Sequence, residues 1–466
     1  MRREATDTFV ILALVLLCGL VRALFIGLNE LAHDEPFTVY WAHRSLSELF
    51  AQLRTENNPP LHFLLVKAWL PVAGTDVTLL RMPSAVLSAL TVWPLFLLGR
   101  ELSGRLVGFT AALLFTCSTY HQSFAHEVRA YPLFTLLAAV GMWQLVRLAR
   151  KENAPHWAWL AAVNIAMVYT HFFGWTMLGV QLLCVSLIKD LRPARRAWGL
   201  ATGVTLLAYA PYAVVFAQRL TTSVSEGTWL TAPEPEELYN MIWRWSNAPV
   251  IAVLLLLGLV AVSVQRRGRT TLWALGSVWT LAVLLGMFAA SFVAPMFLDR
   301  YLVHASIGFY LLAAFALHHV FPQRTVGLVL AGAAVVGMAF TFRPDTPTGF
   351  SPSRVLAVVN AMGKGRAPVL IAPPWYAITY AWHLDPALYR APEPLARALT
   401  LRGVHAVQDA EQIPAMIGAA DTVMMVDAWS ALTDPEGRID RALRTTHPKV
   451  DEVAVENLVM VRRYRR

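Results

Sequence analysis

The chain has 466 residues, of which 56% are hydrophobic and only 15% are charged. This composition is typical of an integral membrane protein and excludes an ordinary soluble domain. The formal net charge of +9 comes from cations in short loops between apolar segments, which favours a role in topology over nucleic-acid binding. The three cysteines lie within apolar runs, so we expect free thiols and no disulfide framework; they are Cys18, Cys117 and Cys184.

Eleven apolar segments are long enough, or nearly so, to cross a hydrocarbon core, which takes about 20 helical residues. The predicted spans are 8–28, 80–99, 107–125, 131–149, 157–173, 174–189, 198–218, 248–265, 271–292, 301–321 and 325–342. The first span carries no cleavage site, so we interpret it as a retained anchor.

Cations follow every second predicted crossing, which by the positive-inside rule places those loops in the cytoplasm. The N-terminus is then inside and the C-terminus outside, in a cytoplasmic (inner) membrane. The cations concerned are Arg2, Arg3, Arg100, Arg105, Arg147, Arg150, Lys151, Lys189, Arg192, Arg195, Arg196, Arg266, Arg267, Arg269 and Arg324.

The first outer loop, residues 29–79, holds two segments that we predict to be helices at the membrane interface. Residues 60–73 form an apolar run of only 14 residues that contains Lys67, too short to span comfortably. Residues 45–55 carry an apolar stripe at helical spacing, and Ser45 with Glu48 forms a capping-box pattern.

The tail differs in character from the rest of the chain. It alternates β-like runs (368–372, 422–426 and 457–461) with helical stretches such as 411–419, which predicts a small α/β domain. We therefore expect a membrane module over 1–342 and an external accessory domain over 343–466. The overall class is mainly α, a polytopic membrane protein with a small C-terminal α/β domain.

Charged and polar residues other than the cytoplasmic cations gather at the outer ends of the spans under this topology. They are Asp34, Glu35, His126, Glu127, Arg129, Tyr131, His171, Asp299, Arg300 and Tyr301. Ionisable groups at that depth usually face a cavity or pair with each other. Guanidinium groups favour a phosphate, and a carboxylate beside them suits an acceptor hydroxyl.

Each of these groups also has a purely structural interpretation. Asp34 and Glu35, followed by Pro36, suit a helix N-terminus. Glu127 and Arg129 have opposite charges and suit a neutralising pair. His171 alone is typical of a satisfied interfacial histidine, and Arg300 with Tyr301 of an interfacial anchor.

An ordered set of motifs resembles the GT-C membrane glycosyltransferases, in the branch of protein O-mannosyltransferases and bacterial lipid A aminoarabinose transferases. The set covers most of residues 30–180 and a short stretch near 300. Its members are HDEPFTVYWA (33–42), NNPPLHFLLVKAW (57–69), LLRMPSAVLSAL (79–90), LGRELSGRLVGFTAALLF (98–115), SFAHEVRAYPLFTLL (123–137), YTHFFGW (169–175) and FLDRYLV (297–303).

This resemblance implies a polyprenyl-phosphate sugar donor, an external active site and inversion at the anomeric carbon. Asp34 matches the family's acidic first-loop motif and would be the general base, with Glu35 shaping the site or sharing that role. The family often has His before its Pro-Pro pair, where this chain has Asn58. Because a lone Asp-Glu pair is a poor cage, we predict no obligatory metal, although some GT-C enzymes need a divalent ion.

The resemblance also assigns candidate donor contacts. Arg129 and Arg300 would hold the phosphate, with Tyr131 and Tyr301 beside them. The other candidates are Glu127, to orient Arg129 or contact the sugar, His171, for either substrate pocket, and Lys67 and Arg81, a loop residue, as reserve phosphate contacts.

The function expected from this set is transfer of a sugar to a hydroxyl of an envelope glycan, lipid or protein. One alternative is a transporter or flippase of a lipid-linked or small polar substrate. Transporters of that kind usually carry repeats and broken helices near the midplane, whereas the charges here gather at one surface. A third interpretation is a non-catalytic assembly subunit whose tail recruits partners.

Overall fold

The computed structural model describes residues 2–150, 156–225, 230–265, 270–365, 367–456 and 459–466. The predicted cytoplasmic cations Lys151, Arg266, Arg267 and Arg269 lie outside these ranges. Within them the chain is mainly helical and carries one five-stranded sheet.

The α-helices of the first 345 residues are, in chain order, α1 (Arg2–Ala23), α2 (Glu35–His43), α3 (Leu46–Leu53), α4 (Leu61–Ala73), α5 (Val77–Leu90), α6 (Val92–Ser103), α7 (Arg105–Thr116), α8 (Thr119–Ala125), α9 (Tyr131–Arg150), α10 (Trp157–Thr170), α11 (Gly174–Leu187), α12 (Arg195–Ser225), α13 (Glu236–Trp245), α14 (Pro249–Val264), α15 (Thr271–Ala290), α16 (Ala305–His319) and α17 (Arg324–Thr341). The C-terminal segment adds α18 (Pro352–Gly363), α19 (Tyr376–Leu384), α20 (Leu395–Thr400), α21 (Ile413–Ile417) and α22 (Arg438–Thr446).

Nine of the eleven predicted spans each overlap one apolar helix, whereas 80–99 falls on α5 and α6 and 107–125 falls on α7 and α8. In the described part of the chain, six helical segments are long and apolar enough to cross a membrane, or seven if α13 and α14, bent by 99°, form one broken span. Four other predicted spans fall on shorter apolar helices: α7, α10, α11 and α16. A multi-pass membrane architecture is therefore confirmed, while the count of eleven stays a prediction.

The chain divides into two compact units. The membrane unit comprises residues 1–26, 50–65 and 81–345, and the loop–tail unit comprises 27–49, 66–80 and 346–466. Two stretches of the first outer loop thus group with the C-terminal segment. The predicted domains, 1–342 and 343–466, stay a prediction.

Close backbone approach in the membrane unit depends on glycine. Gly104, with φ of 113°, separates α6 from α7. A Cβ on Gly99 would lie 2.5 Å from the Cα of Gly108, so any larger residue would force these helices apart. Small residues at helix contacts are a common device in membrane proteins, because they let backbones pack directly.

The helices expected in the first outer loop are present. The capping box of α3 is formed in both directions: the Ser45 amide donates to Glu48 Oε2 at 2.9 Å, and the Glu48 amide donates to Ser45 Oγ at 3.3 Å. The apolar run 60–73 forms α4. That these helices lie at the membrane interface stays a prediction.

The loop–tail unit contains the sheet, in the order β2-β1-β3-β5-β4. Strands β1 (Val369–Ala372), β2 (Val404–Ala406) and β3 (Thr422–Asp427) are parallel. Strand β5 (Val459–Arg465) pairs antiparallel with β3, and β4 (Lys449–Glu456) pairs antiparallel with β5 at the sheet edge. Helices alternate with these strands, so the small α/β character of the tail is confirmed. The first two residues of the predicted run 457–461 lie outside the described ranges, and β2 and β4 were not anticipated.

Candidate functional site

The turn between α8 and α9 positions the first group of predicted site residues. The Arg129 guanidinium lies 5.7 Å from the centre of the Tyr131 ring, and its Nη2 donates to Asn58 Oδ1 at 3.3 Å. Asn58 is the residue that departs from the family pattern, and here it orients a predicted phosphate ligand. Glu127 is half-buried in the same turn, and its amide donates to the Phe124 carbonyl at 3.4 Å.

His171 lies where α10 ends and joins this turn to other aromatic residues. Its ring stacks on Phe134 at 5.2 Å and on Phe173 at 5.4 Å. The ring centres of Tyr131 and Tyr301 lie 5.9 and 5.8 Å away. A rigid aromatic cluster therefore links the Arg129 turn to the segment that carries Arg300.

Arg300 and Tyr301 belong to a short 3-10 turn, Asp299–Leu302, that precedes α16. Asp299 anchors this turn: its Oδ1 accepts from the Arg300 amide at 2.7 Å, and its Oδ2 lies 3.3 Å from Arg244. Tyr301 follows Arg300 directly, and its ring contact with His171 brings this turn beside the segment that carries Arg129. The membrane unit thus brings together five predicted site residues from three segments: Arg129, Tyr131, His171, Arg300 and Tyr301.

Two buried histidines at this cluster were missed by the sequence analysis. His62 is 3% exposed and stands four residues after Asn58, which accepts the hydrogen bond from Arg129. His304 is fully buried, 4.7 Å from Phe134, and its Nε2 lies 3.3 Å from Thr176 Oγ1. His62 stands within NNPPLHFLLVKAW, and His304 directly follows FLDRYLV. Their positions in or beside these motifs could have identified them as candidates.

The acidic pair lies in the loop–tail unit at the start of α2. Asp34 is half-buried and occupies the N-cap position, but its side chain makes no capping hydrogen bond; Pro36 stands in the first turn. The structural interpretation is therefore right about where the helix begins and wrong about the Asp34 side chain as its cap. Glu35 is 5% exposed. His33, just before the pair, has φ of 55°, a left-handed conformation that is uncommon for a residue other than glycine and concentrates at functional sites.

The two reserve phosphate contacts already serve backbone carbonyls. Lys67 Nζ donates to the carbonyls of Ala42 and Arg44 at 3.1 and 2.5 Å, at the C-terminal end of α2. Arg81 was expected in a loop, but it lies within α5, is 2% exposed and donates to the Ile26 carbonyl at 3.0 Å. Helix α5 can continue through this position because the buried guanidinium donates to a carbonyl of the same unit. Their roles as phosphate contacts stay predictions.

Comparison with known proteins agrees with the motif set. The family described as dolichyl-phosphate-mannose-protein mannosyltransferase matches residues 57–218, about a third of the chain. No curated protein sequence matches the chain.

Solved structures match over almost the whole length. ArnT from Cupriavidus metallidurans, bound to undecaprenyl phosphate, has a TM-score of 0.63 at 13% identity, covering 98% of this chain and 97% of its own. The same protein in its apo state also gives 0.63 at 13% identity, with 99% and 98% coverage. The chain has the GT-C fold.

A second GT-C structure is similar at lower coverage. The Archaeoglobus fulgidus oligosaccharyltransferase AglB, in complex with an inhibitory peptide and a dolichol-phosphate, has a TM-score of 0.54 at 10% identity, covering 93% of this chain and 72% of its own. The resemblance to the GT-C proteins that was stated from the motifs is thus confirmed.

Proposed function

We propose that this GT-C protein is an inverting glycosyltransferase that moves a sugar from a polyprenyl-phosphate donor to a hydroxyl of an envelope acceptor. The acceptor is a glycan, a lipid or a protein, and the reaction takes place on the outer face of the cytoplasmic membrane. The observation that carries the proposal is the contact of two rings, Tyr131 and Tyr301, with one buried histidine, His171, in a membrane-spanning unit. Arg129 lies over the first of these rings, and Arg300 directly precedes the second, so the two segments that carry these cations meet there.

Arg129 and Arg300 would bind the donor phosphate. Two guanidinium groups match the geometry and charge of a phosphate, and they stabilise the negative charge that this group gains as the sugar leaves. Tyr131 and Tyr301 hold the cluster by ring contacts with His171, so the cations are positioned before the substrate arrives. Preorganised charges of this kind need no rearrangement during the reaction.

Asp34 would be the general base. Its carboxylate takes the proton of the acceptor hydroxyl, the hydroxyl oxygen forms a bond to the anomeric carbon, and the bond from that carbon to the phosphate oxygen breaks. Attack from the face opposite the phosphate inverts the anomeric centre. Glu35, which is buried beside the base, would shape the acceptor side of the site.

A reconstituted transfer assay tests this proposal. The purified protein in proteoliposomes receives polyprenyl-phosphate sugars and envelope extracts, and released polyprenyl phosphate and glycosylated product are both measured. Covalent transfer with inversion supports the proposal. Movement of the donor across the bilayer without turnover would instead support the flippase alternative.

The acceptor is best identified in cells. Mass analysis of envelope lipids, glycans and proteins from a deletion strain should show one missing hexose- or pentose-sized increment. An unchanged envelope under conditions in which the gene is expressed would contradict the proposal.

A further inference from the structure

The loop that carries Asp34 is held by the C-terminal segment of the chain. Asn29 Oδ1 accepts from the Thr348 amide at 3.0 Å, and the His33 ring lies 3.9 Å from the ring of Phe350. These contacts join residues more than 300 positions apart in sequence, all within the loop–tail unit. The segment expected to be accessory therefore contacts the loop on both sides of Glu30.

Glu30 is the centre of this attachment. Its Oε1 accepts from Ser351 Oγ at 3.0 Å and from Ser353 Oγ at 2.5 Å, and its Oε2 accepts from the Ser353 amide at 2.9 Å. Hydrogen bonds to an ionised acceptor are shorter and stronger than neutral ones. Although partial burial raises the pKa of Glu30, the bonds from Ser353 and Ser351 and the nearby His383 outweigh it and lower the pKa.

His383, near the end of α19, adds a contact on the same stretch. Its Nε2 lies 2.8 Å from the Leu31 carbonyl oxygen, and its Nδ1 lies 3.6 Å from Glu30 Oε2. Because a carbonyl only accepts, Nε2 must carry the hydrogen of that bond. The imidazole thus fixes the backbone at Leu31 and lies beside the Glu30 carboxylate.

The other end of the Asp34 segment is fixed as well. Arg44, which follows α2, donates from Nη1 to the Ala391 carbonyl at 2.7 Å, and the Tyr40 ring lies 5.2 Å from the ring of Tyr389. Lys67 holds the last carbonyls of α2. Contacts on both sides of Asp34 therefore define where its carboxylate lies.

We propose that Glu30, Ser353 and His383 form a latch through which the C-terminal segment positions Asp34 for proton transfer. This inference rests on the proposed function, since it gives the latch a purpose only if Asp34 is the base. These three are positioning residues and touch no substrate. A displacement of about 1 Å in a catalytic group lowers the rate by roughly 100-fold, so a loosened loop would slow the chemical step with little effect on substrate affinity.

The test compares Glu30→Gln, Ser353→Ala and Ser353→Thr with wild type in the transfer assay. Gln removes the negative charge that strengthens the bonds from both serines, Ala removes one donor hydroxyl, and Thr keeps it. We expect kcat to fall by about 10- to 100-fold in Glu30→Gln and less in Ser353→Ala, with KM for donor and acceptor within about twofold. Ser353→Thr should restore most of the loss.

A matched control separates positioning from stability. Asp451→Asn also removes one paired carboxylate of the same unit, because Asp451 lies 2.6 Å from Arg463 in the sheet, far along the chain from the latch. This variant should keep wild-type kcat. Amide hydrogen exchange of residues 29–35 should rise in Glu30→Gln and stay at the wild-type level in Asp451→Asn.

Asp34→Asn is measured in parallel, so that the two ideas fail in different ways. If Asp34→Asn is inactive while Glu30→Gln and Ser353→Ala keep wild-type kcat and exchange, the latch is refuted and the proposed base stands. If Asp34→Asn keeps wild-type transfer, the proposed base is refuted and the latch falls with it. If Asp34→Asn and the two latch variants all lose kcat, and Ser353→Thr restores it, the proposed base and the latch are both supported.

Discussion

The two sets of predicted site residues are held in place by different kinds of interaction. In the membrane unit, the segments that carry Arg129 and Arg300 meet at His171 within a cluster of aromatic rings. In the loop–tail unit, the Asp34 loop is fixed by charge-assisted hydrogen bonds to Glu30. Aromatic packing suits groups that lie among apolar spans, whereas a polar network suits a segment with water on one side.

This difference has a mechanistic consequence. Ring packing buries Tyr131 and His171 beside these half-buried cations. A substitution of either arginine should therefore remove charge without moving the neighbouring rings much. The acid depends on a few directed bonds from distant parts of the chain, so its position is sensitive to small changes. Substitutions in the membrane unit should therefore lower activity by removing a positive charge. Substitutions in the loop–tail unit should lower activity by displacing Asp34.

The largest effect is expected for Asp34→Asn. Removing a general base lowers kcat by roughly 10²- to 10⁴-fold. The protein should still insert and fold, because Asn has nearly the same size and shape as Asp. Single-turnover transfer with saturating donor measures this loss. Transfer at the wild-type rate would show that the proton goes elsewhere.

Loss of a phosphate cation should rank next. Arg129→Gln and Arg300→Gln should each lower kcat/KM by about 10²- to 10³-fold, since each removes a preorganised charge at the leaving phosphate. The double variant should lose less than the product of the two, because both charges act on one group. Arg402→Gln, an exposed arginine paired with Asp385 at 2.9 Å, is the control and should remain active.

Lys67→Met distinguishes a structural lysine from a phosphate ligand. Because Lys67 Nζ binds the C-terminal carbonyls of α2, we expect the free energy of unfolding to fall by about 1–2 kcal/mol. Donor KM should stay unchanged. A large rise in donor KM with an unchanged melting temperature would instead confirm the reserve phosphate role.

The smallest effect concerns the pH dependence of stability near α2. Burial, followed by the charges of Arg390 and Lys67, lowers the pKa of His43 to about 4. Between pH 6.5 and 4 the unfolded chain therefore binds a proton that the folded chain does not, so stability falls as the pH falls through this window. His43→Gln should flatten the melting temperature against pH over that range. An unchanged slope would show that another group dominates.

Local patterns in the sequence predicted much of this molecule. Apolar segments of about 20 residues must become helices in a bilayer, because every backbone polar group needs an internal partner there. The capping box of Ser45 and Glu48 could also be predicted, because the two residues lie within one helical turn of each other. The turn that carries Arg129 and the 3-10 turn that carries Arg300 also lie where the span boundaries predicted them.

Tertiary structure alone decided which distant segments meet. Nothing in the local pattern of residues 29–35 indicates that Ser351, Ser353 and His383 bind them, because such contacts depend on the path of more than 300 intervening residues. The same holds for the strand order β2-β1-β3-β5-β4 and for Arg81, whose charge is buried against the Ile26 carbonyl. Periodicity and composition indicate which faces of a segment are exposed to lipid, to water or to the protein interior. The hydrogen-bond partners of a polar side chain are fixed only when distant parts of the chain fold against it.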